Sequence, residues 1–159
     1  MVKLLSPLDQ VDSSMQYKLG SRTKTRDGNE YIYLPGTTSV VQYDWVSFLT
    51  AATVEGGMSY GSVTRLLSGA VGDVGIAQGA IVSNKFGWFQ VGGIGWGLSG
   101  GVSSAAAALY GCASGSVGYA TGSVSSSLIA RAFSIQASAT AGGTVKALIY
   151  HPFTTATMS

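Results

Sequence analysis

The stretch from residue 86 to residue 130 limits the fold most, because it contains no charged side chain and is rich in glycine. Within it, residues 92–101 read GGIGWGLSGG, and each glycine costs a helix about 1 kcal/mol relative to alanine. A stable helix is therefore excluded here. We expect a glycine-rich loop or bulged ribbon over 92–101, directly after an aromatic strand at 86–91.

Short apolar runs separated by turn residues fill most of the remaining chain. The turn signal at 27–29 precedes the run YIYL at 31–34, and Val41, Tyr43 and Trp45 alternate with polar residues. Four alanines within 102–110 leave a helix in competition with a strand there, and we favour the strand. Further strand candidates are residues 73–78, 80–82, 116–120, 127–136 and 144–150. The pattern predicts an all-β body, a compact β-sandwich or small β-barrel.

The composition indicates a surface that associates with other molecules. Hydrophobic residues make up 46% of the chain and charged residues 10%, against about 25% charged in an ordinary soluble domain. Uncharged polarity comes from 22 serines and 13 threonines. A poorly charged, apolar surface favours burial against partners.

Charge is concentrated at the N-terminal end, where nine of the sixteen charged residues lie within the first 30 positions. Residues 1–28 lack periodicity and are interpreted as an extended N-terminal arm before a β-rich body at 29–159; an ordinary frayed terminus is the alternative. The arm carries cations that can pair with acidic residues of a partner, or simply be solvated: Lys18, Arg22, Lys24 and Arg26. A net charge of +2 predicts no direct nucleic-acid binding.

The sequence predicts no membrane helix, no signal peptide and no internal disulfide. No run of about 18 apolar residues predicts a membrane helix, and the start MVKLLSPLDQVDSS is broken too early for a signal peptide. The single cysteine, Cys112, has no internal disulfide partner. Synthesis in the cytoplasm is expected.

The residues needed for catalysis or metal binding are nearly missing. The chain has one histidine, His151, and a Cys112/His151 dyad competes with the simpler reading of Cys112 as an inert buried residue. One Cys and one His do not complete a structural zinc site. Residues 95–100 match the dinucleotide-binding glycine pattern, but no acidic residue follows them. We therefore expect no enzyme activity, cofactor or metal.

The three tryptophans, Trp45, Trp88 and Trp96, suit either a core or subunit interface, or a sugar-stacking platform. We assign Trp88, Phe89 and Trp96 to oligomer packing. A receptor- or glycan-binding β module is the alternative. An enzyme such as a wall hydrolase is a third hypothesis, which requires a cleft with converging carboxylates of raised pKa.

Four segments together resemble the small head proteins of tailed bacteriophages. They are residues 27–33 (DGNEYIY), 71–78 (VGDVGIAQ), 86–93 (FGWFQVGG) and 145–152 (VKALIYHP). The resemblance covers most of the chain after residue 27 and carries no catalytic signature.

This resemblance implies a capsid decoration, or cement, protein on the outer surface of the virion head. The expected partners are the major capsid protein and further copies of the chain, often as trimers at local threefold positions, without a membrane. The four arm cations are then expected to contact the shell, with the body stabilising the capsid lattice. The alternative in this setting is a receptor- or glycan-binding β module of a phage tail or head fibre.

Overall fold

The computed structural model describes residues 7–36, 39–52, 58–67, 69–101, 105–111, 118–122, 128–137 and 142–154. These ranges contain ten β-strands and no helix, so the predicted all-β class is confirmed. The strands are β1 Arg22–Lys24, β2 Glu30–Pro35, β3 Trp45–Ala52, β4 Met58–Arg65, β5 Gly72–Ala77, β6 Phe86–Leu98, β7 Ala108–Gly111, β8 Ala120–Thr121, β9 Leu128–Ser134 and β10 Thr144–Thr154. In the described part of the chain, no helix is long and apolar enough to cross a membrane.

The strands form one antiparallel sheet that branches around the long strand β6. The first half of β6 pairs with β2 on one edge and with β5 on the other, and its second half pairs with β10. The end of β10 then pairs with the start of β5, Phe153 opposite Asp73. β5 thus lies in the fork between β6 and β10. β3 and β4 continue the sheet beyond β5, and β9, β7 and β8 continue it beyond β10.

A bulge lets β10 leave β6 and reach β5. The register between β9 and β10 shifts between Ile149 and Phe153. In this region His151 has a φ of 45° and Arg131, on β9, a φ of 63°. Because a bulge bends the strand that contains it, the last residues of β10 turn towards β5.

Of the three apolar clusters in the described part of the chain, two form the main cores against the branched sheet. One is formed mainly by β2, β3 and the first half of β6, and its largest members are Phe48 and Phe89. The other lies under β9 and β10 and includes Trp45, Ile129 and Ile149. A long strand that changes partners halfway along therefore connects both cores.

The described part of the predicted arm, residues 7–28, packs along the body and does not project from it. Asp12 and Phe86 exchange main-chain hydrogen bonds of 2.9 and 3.0 Å, and the Tyr33 hydroxyl donates to Asp12 Oδ2 at 2.6 Å. The Tyr17 ring lies 5.1 Å from the rings of Tyr33 and Trp88. Burial of these aromatic faces holds the segment on the sheet.

The expected loop or bulged ribbon over 92–101 is a strand as far as Leu98, and the register of β6 with β2 shifts at its start, between Gln90 and Gly92. A Cβ on Gly97 would lie 2.3 Å from Trp45 Nε1, and one on Gly95 would lie 2.3 Å from Gln90 Oε1. Trp45 Nε1 also donates to the Leu98 carbonyl at 3.2 Å. The glycines are therefore required by side chains that pack directly on the β6 backbone.

Other strand predictions met mixed outcomes. Strands at 31–34, 73–78, 86–91, 127–136 and 144–150 are confirmed, with small differences at their ends.

Two strand predictions are wrong. Residues 80–82 form no strand, although Ile81 is buried. The alternating residues before Trp45 form a turn in which Tyr43 has a φ of 69°. Asp44 Oδ2 accepts from the Val41 amide at 2.8 Å and closes that turn. Residues 102–104 and 112–117, including Cys112, lie outside the described residues.

Substitution Gly97→Ala is expected to lower the free energy of unfolding by about 2 kcal/mol, the usual cost of overpacking a close-packed core. The new methyl group would overlap the Trp45 indole, whose position is fixed by the bond to Leu98. Urea unfolding followed by tryptophan fluorescence measures the change.

Gly75→Ala is the matched control, because a Cβ there meets its nearest atom, the Gln90 carbonyl oxygen, at 3.2 Å. This variant should lose clearly less stability than Gly97→Ala. Equal losses in the two variants would mean that the Trp45–Gly97 contact is not what requires glycine.

Candidate interaction surfaces

The structure separates the three aromatic residues assigned to oligomer packing. Trp88 and Phe89 are fully buried within the chain, whereas Trp96 is 41% exposed. Trp88 packs among Tyr17, Tyr31 and Tyr33, and Phe89 belongs to the core on the opposite face of β6. Trp88 and Phe89 therefore have no surface left for a second subunit, and only Trp96 is retained. Both faces of the first half of β6 are covered, which its apolar sequence alone did not reveal.

Trp96 belongs to a large exposed apolar surface on one side of β6, β9 and β10. Ile94 lies opposite Leu148, and Leu148 lies opposite Phe133, so one row crosses three strands. Trp96 lies opposite Lys146, whose carbonyl accepts from the Ile135 amide. We define the apolar face as the six large side chains exposed here by 41–68%: Ile94, Trp96, Phe133, Ile135, Leu148 and Tyr150.

The apolar face is as large as the largest patches that isolated subunits expose. Six side chains of this size, each about half exposed, present roughly 600 Å², the upper limit for the largest patch on a typical monomer. Lys146 lies in one of its rows, with Nζ 5.7 Å from the centre of the Trp96 ring, and Arg131 borders it on β9. The alternation GIGWGL at 93–98 and KALIY at 146–150 contained the signal for this surface.

The four predicted shell-contact residues are all exposed and lie on or next to β1, the strand at one edge of the sheet. Arg22 and Lys24 are on the edge strand β1, Lys18 precedes it, and Arg26 lies in the turn that follows. Lys24 Nζ lies 3.0 Å from Glu30 Oε1 on β2. The structure thus brings the four cations together around β1.

His151 joins this basic edge to β10. Arg22 Nη1 donates to His151 Nδ1 at 3.2 Å, and His151 Nε2 lies 3.0 Å from Glu30 Oε2. Since an arginine has only donors, Nδ1 accepts, and the Nε2 proton of a neutral imidazole is donated to Glu30. Gly92 leaves room for this contact, because the Glu30 side chain lies directly over it.

Lys24 and His151 lower the pKa of Glu30. The hydrogen bond from the Lys24 ammonium is the largest cause; desolvation opposes it, and the charge of Lys24 and the His151 contact add to the lowering. Glu30 therefore favours its ionised form and holds β1, β2 and β10 together through side chains.

The buried carboxyl group of Asp44 forms an ion pair with Arg65. Burial raises its pKa, while the Val41 amide and Arg65 partly offset that increase. Arg65 Nη2 donates to Oδ1 at 3.0 Å, and Nε lies 2.8 Å from Oδ2 at an angle that makes no second hydrogen bond. A Cβ on Gly118 would lie 2.2 Å from Oδ1, so the main chain covers the pair. Both carboxylate oxygens already have partners, as expected of a fold-stabilising ion pair.

Groups of three or more His, Cys, Asp or Glu side chains suited to a metal ion do not occur within the described ranges. Comparisons with models of protein families, with curated proteins and with solved structures found no match for this chain. The resemblance to phage head proteins therefore stays a prediction based on the four segments named above.

The Glu30 cluster predicts a specific pH dependence of stability. A lowered pKa in the folded state stabilises the fold above the ordinary value of 4.5, and this contribution is lost as the pH falls through the folded-state value. At pH 7 the free energy of unfolding of wild type should exceed that of Glu30→Gln by up to about 1 kcal/mol, the upper range for exposed ion pairs. Near pH 3 the two free energies should be almost equal. Urea unfolding across this pH range provides the measurement.

Lys24→Gln is the companion variant. It should reproduce most of the loss at pH 7 and add little when combined with Glu30→Gln, because the two side chains form one pair. A difference between wild type and Glu30→Gln that is independent of pH would contradict the assigned role of Glu30.

Proposed function

We propose that the protein is a capsid decoration (cement) protein that binds the outer surface of a tailed-phage head and stabilises the major capsid protein lattice. The observation that carries this proposal is the apolar face, because a surface of this size favours burial in an assembly. A mechanical role needs contact surfaces and no catalytic group, and the two most prominent surface features are an apolar face and a basic edge.

The apolar face is assigned to contacts between copies of this chain. Its area of roughly 600 Å² approaches the 800 Å² per partner that a standard specific interface buries. Twofold pairing of identical faces would place two Lys146 side chains in one interface, whereas a closed ring joins two different surfaces. The trimer that the resemblance implies is a closed ring of this kind, so its interfaces need not bring two Lys146 side chains together.

The basic edge is assigned to the capsid shell. Lys18, Arg22, Lys24 and Arg26 are exposed on and next to β1, where they can fix the orientation of the subunit on an acidic surface. Repetition over the lattice then multiplies a weak individual contact through avidity.

Binding to a receptor or glycan is the second candidate, and exposed aromatic rings on the apolar face favour it. Trp96 and Tyr150 are 41% and 68% exposed, and flat aromatic surfaces of this kind suit stacking on sugar rings. This function would use the apolar face for a ligand and leave the protein monomeric.

Charge introduced into the apolar face should dissociate the oligomer. Ile94→Lys and Leu148→Lys change exposed side chains in the central row, so the fold is retained while the subunit contact is lost. Sedimentation velocity is expected to show trimers for wild type and monomers for both variants. Val82→Lys, at an exposed apolar position before β6, is the matched control and should remain trimeric. A monomeric wild type would remove the apolar face as a contact between copies.

Head binding is tested by cosedimentation with phage heads that lack the protein. Saturable binding by wild type is expected, with strongly reduced binding by a Lys18→Glu/Arg26→Glu variant. Deleting residues 1–26 would remove Tyr17 and β1 from the packed body, so charge reversal is the cleaner change. Absence of wild-type binding, combined with retention on a glycan array, would replace the capsid function with the glycan-binding one.

A further inference from the structure

Strand β1 has one edge paired and one edge open within the described part of the chain. It pairs with β2 through the register Arg22 to Ile32, Thr23 to Tyr31 and Lys24 to Glu30. No other described strand pairs with it. An edge strand of this kind presents unpaired main-chain groups to an incoming strand.

The hydrogen-bond pattern identifies which groups point outwards. The Tyr33 amide donates to the Ser21 carbonyl, and the Thr25 amide donates to the Asn29 carbonyl, both at 2.9 Å. Main-chain groups of alternate residues point to the same side of an antiparallel strand. Those of Thr23 therefore face β2, and those of Arg22 and Lys24 face away from it.

The side chains around this edge select the charge of the partner. Lys18, Arg22, Lys24 and Arg26 are exposed beside it, and Arg22 and Lys24 border a groove of about 200 Å³ with Tyr31. Like charges prevent two copies of this edge from pairing with each other. An acidic strand is attracted by the same charges.

The two strand cations are held in place but retain further donors. Arg22 contacts His151 through Nη1, and Lys24 contacts Glu30 through Nζ. A guanidinium has five N–H donors and an ammonium has three, so each can also bind an incoming carboxylate. Their Cα atoms are two strand residues apart, about 7 Å, the distance between alternate side chains of a partner strand.

We propose that β1 is a strand-addition site for an extended acidic segment of a partner protein. The main chain of Arg22 and Lys24 supplies the hydrogen bonds, and the four cations select glutamate or aspartate at alternate positions. This inference rests on the proposed function in one respect, that the partner is a subunit of the capsid shell.

The probe is a synthetic seven-residue peptide of strand-forming residues with glutamate at alternate positions. Isothermal titration calorimetry and amide chemical shifts are expected to show binding, with the largest shifts at Arg22 and Lys24. A peptide with lysine in place of glutamate should not bind. A glutamate peptide N-methylated on the edge that faces β1 should bind at least tenfold more weakly, since its charge is kept and its donors are lost.

Variants of the protein separate main-chain pairing from charge. Lys24→Pro removes an outward amide without breaking a bond to β2, a position where an edge strand tolerates proline. Lys24→Ala removes the same charge and keeps the amide. Affinity for the glutamate peptide should fall several-fold in Lys24→Ala and at least a further tenfold in Lys24→Pro.

Two results would overturn strand addition: equal binding of the N-methylated and unmodified peptides, or no binding of the glutamate peptide at millimolar concentration. Head cosedimentation reports separately on the proposed function. Heads that bind wild type while the peptide does not would refute β1 as the docking strand and leave the cement function standing. Peptide binding without head binding would support the strand-addition site and refute the capsid shell as its partner.

Discussion

The rest of the structure depends on the contact between the Trp45 indole and the backbone of β6 at Gly97. Trp45 begins β3, lies opposite Ile76 on β5, and donates to the Leu98 carbonyl. Its own amide donates to the Gly118 carbonyl, and its carbonyl accepts from the Leu66 amide. The main chain of Trp45 thus connects β3 to β5 and to the residue beside β8, and its side chain connects them to β6. A methyl group on Gly97 would separate these elements, which explains glycine in the interior of a strand.

The exposed apolar face follows from this packing. In a strand, side chains alternate between the two faces, so glycines placed inwards at 95 and 97 leave Ile94 and Trp96 directed outwards. β10 continues the pattern, with Ala147 buried and Leu148 exposed. Beneath the second half of β6 the Trp45 ring packs on the Gly97 backbone, while Ile94 and Trp96 remain outside. The surface assigned to subunit contact is therefore built by the same alternation that closes the core.

Local patterns predicted the strands whose alternation or aromatic content reflects their own environment, such as β2, β9 and β10. They failed where contacts with residues outside the segment determine its conformation. Glycine propensity predicted a loop or bulged ribbon after residue 92, but Gln90 requires glycine at 95, and Trp45, which is far away in the sequence, requires it at 97. Alternation predicted a strand through Val41, but the Asp44 carboxylate bonds its amide and forms a turn. Burial of Trp88 under Tyr17 was hidden for the same reason, because a polar segment without periodicity supplies that single aromatic ring.

The two surfaces meet across a single row of the sheet. Tyr150 of the apolar face lies opposite Gly92, Gly92 lies opposite Glu30, and Glu30 lies opposite Lys24 on β1. At one end of the row the face is apolar and about the size of a subunit contact; at the other, cations border an open strand edge. Like charges keep two such edges apart, whereas the apolar face consists mainly of uncharged side chains that favour burial. A chain with so few charges thus has two surfaces of different character within one sheet, and the proposed contacts assign identical subunits to the apolar one and an acidic protein to the basic one.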